Sequence, residues 1–431
     1  MRPVHAWWLV TMCAALLSPV FALAAGYAIY EQGAALLGMA GAGTASVHDA
    51  SAVFFNPAIM TRLDGTHLYA GGSVLSPVTS FAGVAPYPGY GVTEEMQRRH
   101  FIPPTLYATH RLPGRWAVGA GINTPFGLGV KWKNPDTFTG RYIVTKATLH
   151  TINANLSVAR ALDERWSAAL GADAMFANVD LQNRILEPVP GGGGAQVDVA
   201  KTDLKGDYTA GYGWNAALSF VPDPRVRLGA FYRSKVIVDL DGNGDFTQIP
   251  TGDASFDAGV AAALPPDQAM SAVLRFPAMW SGGVAYSPAP AWTIEADVNF
   301  VEWSVFRDLP IRFHQTPSAN ETLVEDYEDS WQVRVGAEHR LPGWTYRIGY
   351  YFDQAAAPSE SVTPLLPDAD RHGISLGFGL PFGAERRWRV DVYELALLVK
   401  RRSTEGVERD GFNGEYKSYV NLAGLGVACH W

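Results

Sequence analysis

Polar and apolar residues alternate along much of the chain after residue 65, with the period of two that is typical of β-strands. Between Trp292 and Phe300, five apolar residues share one face and four polar residues, including Glu295 and Asp297, share the other. A soluble sandwich would bury the apolar face, whereas a membrane barrel would turn it toward lipid and keep the charges in the lumen. Alternation alone leaves both architectures open.

The spacing of turn residues favours the barrel. Six short turn-like clusters are each followed by a new strand, at residues 112–115, 161–165, 221–225, 287–290, 341–343 and 382–386. Longer irregular segments lie between them, near residues 80–100, 127–146, 183–204, 241–269, 304–327, 353–370 and 402–414. Short and long connections alternate strictly, as in barrels with tight periplasmic turns and long external loops. We therefore predict an all-β fold, a 14-stranded antiparallel transmembrane β-barrel over residues 66–431.

Both ends of the chain fit export to the bacterial outer membrane. Residues 1–24 contain the basic Arg2, an apolar run and a final Ala22-Leu23-Ala24, which predicts a cleaved signal peptide, a membrane anchor being the alternative. From Tyr419, alternate residues share one face up to the terminal Trp431, an ending that resembles the signal read by the barrel-assembly machinery. That machinery is an expected partner during insertion, as are outer-membrane lipid and lipopolysaccharide afterwards. Only a closed sheet satisfies every backbone group in lipid without helices.

Composition excludes some partners and ligands. The chain has 431 residues with a net charge of -8, and it lacks the basic stripe expected of a nucleic-acid-binding protein. The run Asp239–Asp245 follows the first half of a calcium loop, but Pro250 occupies the position of the final ligand, so we predict a turn-rich external loop there. Neither a metal site nor a cofactor is expected, since the histidines show no metal-ligand spacing.

Residues 25–65 do not follow the strand pattern and are rich in Gly and Ala. A dinucleotide-binding fingerprint within Gly38–Ser46 is the alternative, yet no strand precedes these glycines and Ser46 stands where the third Gly would be. Small residues would let short helices pack tightly inside a lumen lined by strands. We therefore predict that residues 25–65 form a compact plug, called the hatch below.

Motifs in the hatch and along the barrel carry a family resemblance. In the hatch they are Tyr30-Glu31-Gln32-Gly33 and the run Asp49–Ala58, which ends in Asn56-Pro57-Ala58. Further matches are Thr124–Leu128, Gly140–Tyr142, Tyr232–Lys235, Trp303-Ser304 and Pro367–His372. Together these motifs resemble the FadL/TodX family of outer-membrane transporters for long-chain fatty acids and other hydrophobic compounds, and the resemblance covers essentially the whole mature chain.

The resemblance implies a lumen closed by the hatch, an external low-affinity groove, a deeper pocket beside the N-terminus and a lateral exit at an inward kink of one strand. We place the kink at Asn123–Gly127, because proline lacks a ladder donor and glycine permits a bulge; an ordinary strand end is the alternative. The candidate hatch motif is Asn56, Pro57 and Ala58. Candidate pocket or gate residues are Phe54, Phe55, Pro125, Phe126 and Gly127. Candidate partners for a substrate carboxylate are Lys131, Arg141 and Arg371.

The function implied is passive uptake of hydrophobic molecules. An acyl chain loses about 0.8 kcal/mol of hydrophobic stabilisation per CH₂ exposed to water, so a dry pocket with a lateral exit serves it better than a wet pore. Long-chain fatty acids are the expected substrates, and monoaromatic hydrocarbons such as toluene are the alternative. A general hydrophilic porin and a barrel enzyme remain as other classes, although we assign no catalytic residue because no Ser or Asp has a paired rim His.

Overall fold

The computed structural model describes residues 26–189 and 194–431. The predicted signal peptide, residues 1–24, lies outside these residues, as does most of the run Gly191–Gly194. Over the described ranges, none of the helices has the length and apolar character needed to cross a membrane.

The described chain is mostly β-strand. Its strands are β1 Thr66–Gly83, β2 Thr93–Glu95, β3 Pro104–Leu112, β4 Trp116–Asn123, β5 Gly127–Lys131, β6 Lys146–Ala161, β7 Trp166–Pro188, β8 Gln196–Asp223, β9 Val226–Arg233, β10 Val236–Gln248, β11 Gln268–Phe276, β12 Met279–Tyr286, β13 Trp292–Val301, β14 Asp308–Phe313, β15 Glu321–Val324, β16 Ser330–Arg340, β17 Thr345–Asp353, β18 Arg371–Phe382, β19 Trp388–Val399, β20 Arg402–Ser403 and β21 Gly414–His430. Its α-helices are α1 Ala34–Leu37, α2 Ala52–Phe55 and α3 Ala254–Ala263.

These segments form a closed wall of fourteen antiparallel strands, as predicted. Three wall strands are each divided into two segments, namely β4 with β5, β9 with β10, and β11 with β12. Each wall strand pairs with the next one in the chain, and β21 pairs with β1 along seventeen residue pairs. That last pairing closes the sheet into a barrel, so there is no unpaired first or last strand.

The alternation of polar and apolar residues is inverted relative to a soluble protein. On β13, Ile294 and Val298 are exposed on the outside, whereas Glu295, Asp297 and Asn299 are buried and face the lumen. The apolar belt on the outer surface is what lipid requires, and the buried polar residues need partners inside the barrel. This arrangement excludes the soluble sandwich that the sequence pattern alone left open.

All six predicted short turns are present, each with five residues or fewer between two wall strands. They gather at one end of the barrel and the long connections at the other, as expected for an antiparallel wall. Two long connections are more ordered than predicted. The pairing of β7 with β8 continues out to Pro188 opposite Gln196, and residues 304–327 contain β14 and β15.

The acidic run Asp239–Asp245 is a correction to the sequence analysis, because it lies in the middle of β10 and not in a turn-rich loop. This strand pairs with β8 and β11. Its glycines suggested a turn, but they serve close strand contact: a Cβ added to Gly242 would meet the Lys205 carbonyl of β8. The connection after β10 also contains the exposed helix α3, which strand periodicity did not predict.

The hatch fills the lumen at the end of the barrel that carries the short turns. It contains α1, α2 and a 3₁₀ helix at Pro57–Arg62, and nearly all of its residues are buried. Arg62 donates a hydrogen bond at 2.9 Å to the carbonyl of Arg165, in a short turn, and Thr61 bonds Ser167 of β7 at 2.8 Å. The hydrophobic core of the protein therefore lies between the hatch and the inner face of the wall.

Candidate functional site

Two carboxylates of β13 hold the hatch through its main chain. Asp297 accepts hydrogen bonds from the backbone N–H groups of Gly43 at 2.8 Å and Thr44 at 3.0 Å. Glu295 accepts one from the N–H of Ala45 at 2.6 Å. A buried N–H that loses its acceptor costs roughly 1–3 kcal/mol, so each of these three hydrogen bonds matters for the seating of the hatch. The carboxylates thus fix this turn of the hatch against the wall.

Asn56 of the predicted hatch motif is a second anchor. Its side-chain amide donates to the carbonyl of Thr44 at 2.7 Å within the hatch and to the carbonyl of Leu218 at 3.0 Å in β8. Its side-chain oxygen accepts from the N–H of Ala58 at 3.1 Å, which caps the 3₁₀ helix that begins at Pro57. The Asn-Pro-Ala sequence therefore starts a helix and ties it to the wall at the same time.

A network of buried ion pairs joins the hatch to β16, β17 and β19 of the wall. Arg347 of β17 bonds Glu338 of β16 and Asp391 of β19, both at 2.7 Å. Arg389 of β19 bonds the same Asp391 at 2.6 Å and Asp49 of the hatch at 2.6 Å. Removing one member would leave its partners charged and unpaired in a buried site, which is strongly unfavourable.

Wall glycines give the hatch its closest contacts. A Cβ added to Gly349 of β17 would meet the main chain of Met39 and Ala40, and one added to Gly377 of β18 would meet the Cα of Gly38. At these points the backbone of the hatch lies directly against the backbone of the wall. No larger residue fits at Gly349 without displacing the hatch.

The wall strand formed by β4 and β5 is interrupted at the predicted kink. Asn123, the last residue of β4, pairs with Asn153, and Gly127, the first residue of β5, pairs with His150. Three residues of this strand therefore face two residues of β6, and the one extra residue is what defines a β-bulge. Because β5 continues the pairing with β6 beyond the interruption, it is a break within the strand and not the strand's end.

The N-terminal residues pair with the interrupted segment in the manner of a short extra strand. Ile29 donates its N–H to the carbonyl of Pro125 at 2.8 Å, and Gly127 donates to the carbonyl of Tyr27 at 3.0 Å. The Gln32 amide donates at 2.7 Å to the carbonyl that precedes Pro125. These bonds satisfy backbone groups that have left the wall, and they connect the hatch to the break.

A gap in the wall lies beside this break. The pairing of β3 with β4 ends at Leu106 opposite Ile122. Beyond that point the neighbouring strand presents Pro103 and Pro104, which have no N–H to donate. Hydrogen bonding across the gap resumes where Gln97 donates at 2.7 Å to the carbonyl of the last residue of β5. The sheet is therefore unpaired between these two points.

A cavity of about 530 Å³ adjoins the gap. On the lumen side its lining includes Tyr30 and Glu31 of the hatch. On the opposite side the lining includes Ile102, Ile152 and Tyr208, which are 67%, 45% and 58% exposed on the outer surface. One cavity thus has walls both inside and outside the barrel. Its volume falls within the range of roughly 300–1,000 Å³ typical of small-molecule sites.

Aromatic side chains fill the lumen behind the break. The Tyr27 ring lies edge-on to Trp303 with 4.8 Å between ring centres, and to Phe306 with 5.3 Å. Phe126 contacts Phe276 with ring centres 4.9 Å apart. Such pairs stabilise by about 0.5–1.5 kcal/mol each beyond their buried area. The interrupted strand is therefore held inward by packing as well as by hydrogen bonds.

The five candidate pocket or gate residues occupy two places. Gly127 lines the cavity, and the two residues before it form the interruption. Phe54 and Phe55 lie deeper in the hatch, edge-on to the Tyr30 ring with centres 5.8 and 5.5 Å away. They are buried in the packing of the hatch and are absent from the lining of the cavity.

The three candidate carboxylate partners are widely separated. Arg141 is paired with Asp198 at 2.7 Å in the external loops, and Lys131 lies at the end of β5. Arg371 lines the cavity, but it bonds the carboxylate of Asp368 at 3.3 Å and a main-chain carbonyl at 2.8 Å. Burial raises the pKa of Asp368, while the adjacent Arg371 acts in the opposite direction. Arg371 therefore already has an acidic partner.

Sequence reasoning missed several residues that the structure brings to the site. The sequence pattern placed Glu295 and Asp297 on the polar face of β13, but the hatch residues that they bond are about 250 positions earlier in the chain. Arg99 and Arg334 both line the cavity and had no signal in the sequence beyond their charge. Within residues 26–189 and 194–431, no cluster of three or more His, Cys, Asp or Glu side chains could hold a metal ion.

Comparison with known proteins agrees with this architecture. The family model described as "Outer membrane protein transport protein (OMPP1/FadL/TodX)" matches residues 15–429. A long-chain fatty acid transport protein of Salmonella typhi is 28% identical over 391 residues, which cover 84% of this chain and 86% of that protein.

Two solved structures share the fold. A Pseudomonas aeruginosa FadL homologue matches with a TM-score of 0.82 at 20% identity, covering 94% of this chain and all of the other. The P. putida toluene transporter TodX matches with a TM-score of 0.75 at 17% identity, covering 94% of this chain and 99% of the other. The family match extends over nearly the whole sequence and does not depend on these structures. The chain therefore belongs to the OMPP1/FadL/TodX family, whose members are non-enzymatic transport proteins of the bacterial outer membrane that carry hydrophobic compounds.

Proposed function

We propose that this protein takes up long-chain fatty acids, which enter the cavity from the external side and leave sideways into the bilayer through the gap beside Pro103 and Pro104. The observation that carries the proposal is the lining of the cavity, which includes hatch residues such as Tyr30 and outward-facing residues such as Ile152. A molecule in that cavity contacts the lumen and the lipid-facing surface without passing the hatch.

Hydrophobic energetics favour this route over an axial one. A chain of sixteen methylene groups loses on the order of 10 kcal/mol if it is fully hydrated, at about 0.8 kcal/mol per group. The hatch closes the lumen toward the short turns, where Thr61 and Arg62 bond the wall. The lateral path avoids both the buried hatch and the periplasmic water, so a concentration gradient suffices to drive uptake.

Monoaromatic hydrocarbons are the second candidate. The aromatic rings of Tyr27 and Phe126 border the break, and a transporter with the same fold is named for toluene. Fatty acids are preferred because curated relatives that align with most of this chain are named long-chain fatty acid transport proteins. A general hydrophilic porin is disfavoured because the hatch occupies the lumen with buried, hydrogen-bonded residues.

Uptake by cells separates these candidates. A strain without the gene is expected to lose growth on oleate as sole carbon source, to regain it with the wild-type gene, and to keep its response to toluene. Loss of toluene uptake with normal growth on oleate would contradict the fatty acid assignment and favour the second candidate. Large ion currents through the purified wild-type protein in planar bilayers would instead support the porin.

A further inference from the structure

Arg99 differs from the other arginines around the cavity. It lies in the segment between β2 and β3, next to the gap, and it lines the cavity. Its Nη1 atom is buried and has no hydrogen-bond partner among the described residues, and no acid of the described chain lies within 4 Å of its guanidinium. The guanidinium carbon is 5.1 Å from the centre of the Phe101 ring, which orients the side chain.

The other two arginines of the lining are occupied. Arg371 bonds Asp368, as described above. Arg334 donates to the Ala40 carbonyl at 2.7 Å and to Gln332 at 3.1 Å, and it stacks over the Tyr30 ring at 3.9 Å. Both hold the N-terminal part of the hatch. Arg334 is only 2% exposed and keeps one unpaired donor, Nε, within that packing, whereas the half-buried Arg99 makes no side-chain hydrogen bond in the described chain.

The charges around the cavity indicate which end an anion would favour. At the inner end the acids Glu31 and Asp353 are matched in number by Arg334 and Arg371, so that end offers an anion no excess of positive charge. The segment next to the gap contributes Arg99 and His100, and β6 contributes His150. An anionic head group is therefore more stable beside the gap than beside the hatch.

On the basis of the proposed function, we propose that Arg99 binds the carboxylate of an amphipathic substrate at the gap while the hydrocarbon chain occupies the cavity. Arg99 is half-buried, and a carboxylate in the cavity supplies an acceptor for those guanidinium N–H groups that are not buried with Nη1. Arg99 would then distinguish fatty acids from neutral hydrocarbons of the same size, and it would retain the head group until the chain has entered the bilayer.

The test compares two ligands with one chain and different head groups. Binding of oleate and of oleyl alcohol is measured to purified wild-type protein and to Arg99→Gln in phosphatidylcholine nanodiscs without lipopolysaccharide. Arg98→Gln is the matched control, because Arg98 is the exposed neighbour outside the cavity lining. Arg99→Gln is expected to weaken oleate binding roughly 10- to 100-fold, the loss of one charge-assisted hydrogen bond, and to leave oleyl alcohol unchanged.

The remaining outcomes separate this inference from the proposed function. Arg99→Lys should recover much of the oleate affinity, since it restores the charge. Equal losses for oleate and oleyl alcohol in Arg99→Gln, or an unchanged oleate affinity, would overturn the role of Arg99 while leaving the lateral route intact. An effect seen only when lipopolysaccharide is added would assign the cation to membrane phosphate and also overturn it. Wild-type protein that binds neither ligand would overturn both proposals.

Discussion

Deleting Pro125 is expected to reduce oleate uptake to the level of cells without the gene, while the barrel still assembles. Asn123 and Gly127 are paired with β6, and three residues between them face two. With one residue removed, two residues of this strand face two residues of β6. Because the residue removed is the proline, every remaining residue of the segment has an N–H to donate. Thr124 and Phe126 can then continue the ladder with β6, which straightens the strand and narrows the gap on its other side, opposite Pro103 and Pro104.

The control for this deletion is Pro125→Ala. It supplies a donor but keeps the extra residue, so the interruption and most of the uptake should remain. Assembly of both variants is checked by heat-dependent mobility in gels and by protease access to the external loops. Wild-type uptake by a well-assembled deletion variant would show that the interruption is not part of the route.

Replacing Gly349 with leucine is expected to displace the hatch and to turn the barrel into an ion-conducting pore. The added side chain would meet the main chain of Met39 and Ala40 and push it away from β17. Because the wall is closed around the hatch, the hatch cannot make room by shifting sideways. Overpacking of this kind typically costs about 1–3 kcal/mol or more. The hatch bonds to Glu295 and Asp297 would be strained or broken, and the lumen would admit water.

Gly282→Leu on β12 is the matched control, since Gly282 faces outward and nothing lies within 4 Å of the Cβ that it would gain. Conductance in planar bilayers and sensitivity of cells to large hydrophilic antibiotics report the opening. Gly349→Leu should raise both, and Gly282→Leu should raise neither. Equal, low conductance in the two variants would contradict the role of the hatch as a tightly seated plug.

The wall could be predicted from the sequence because its physics is local. Alternation on β13 and the short turns depends on neighbouring residues only, and both predictions are confirmed, as are the family, the outer-membrane location and the fourteen strands. The kink at Pro125 was also visible, since proline disrupts a ladder wherever it falls. The run Asp239–Asp245 was misjudged because its glycines relieve contact with β8, which no local pattern reveals.

The interior could not be predicted in the same way. The contacts that seat the hatch join residues hundreds of positions apart, such as Asp49 with Arg389 and Ala40 with Arg334. Phe54 resembled a pocket residue in sequence, yet it packs within the hatch under the guanidinium of Arg233. Whether an arginine has an acidic partner depends on the fold as a whole, so Arg99 could not be distinguished from any other surface cation.

The most direct test of the account is to locate a photoactivatable fatty acid crosslinked to the protein in intact cells. We expect labelled peptides from the cavity at Tyr27–Glu31 and from the outer face of the gap at Ile102 and Ile152. Peptides that contain Thr61 or Ser167, at the closed end of the lumen, should remain unlabelled. Labelling of those residues, with none at Ile102 and Ile152, would mean that the cargo passes through the hatch and would contradict lateral exit.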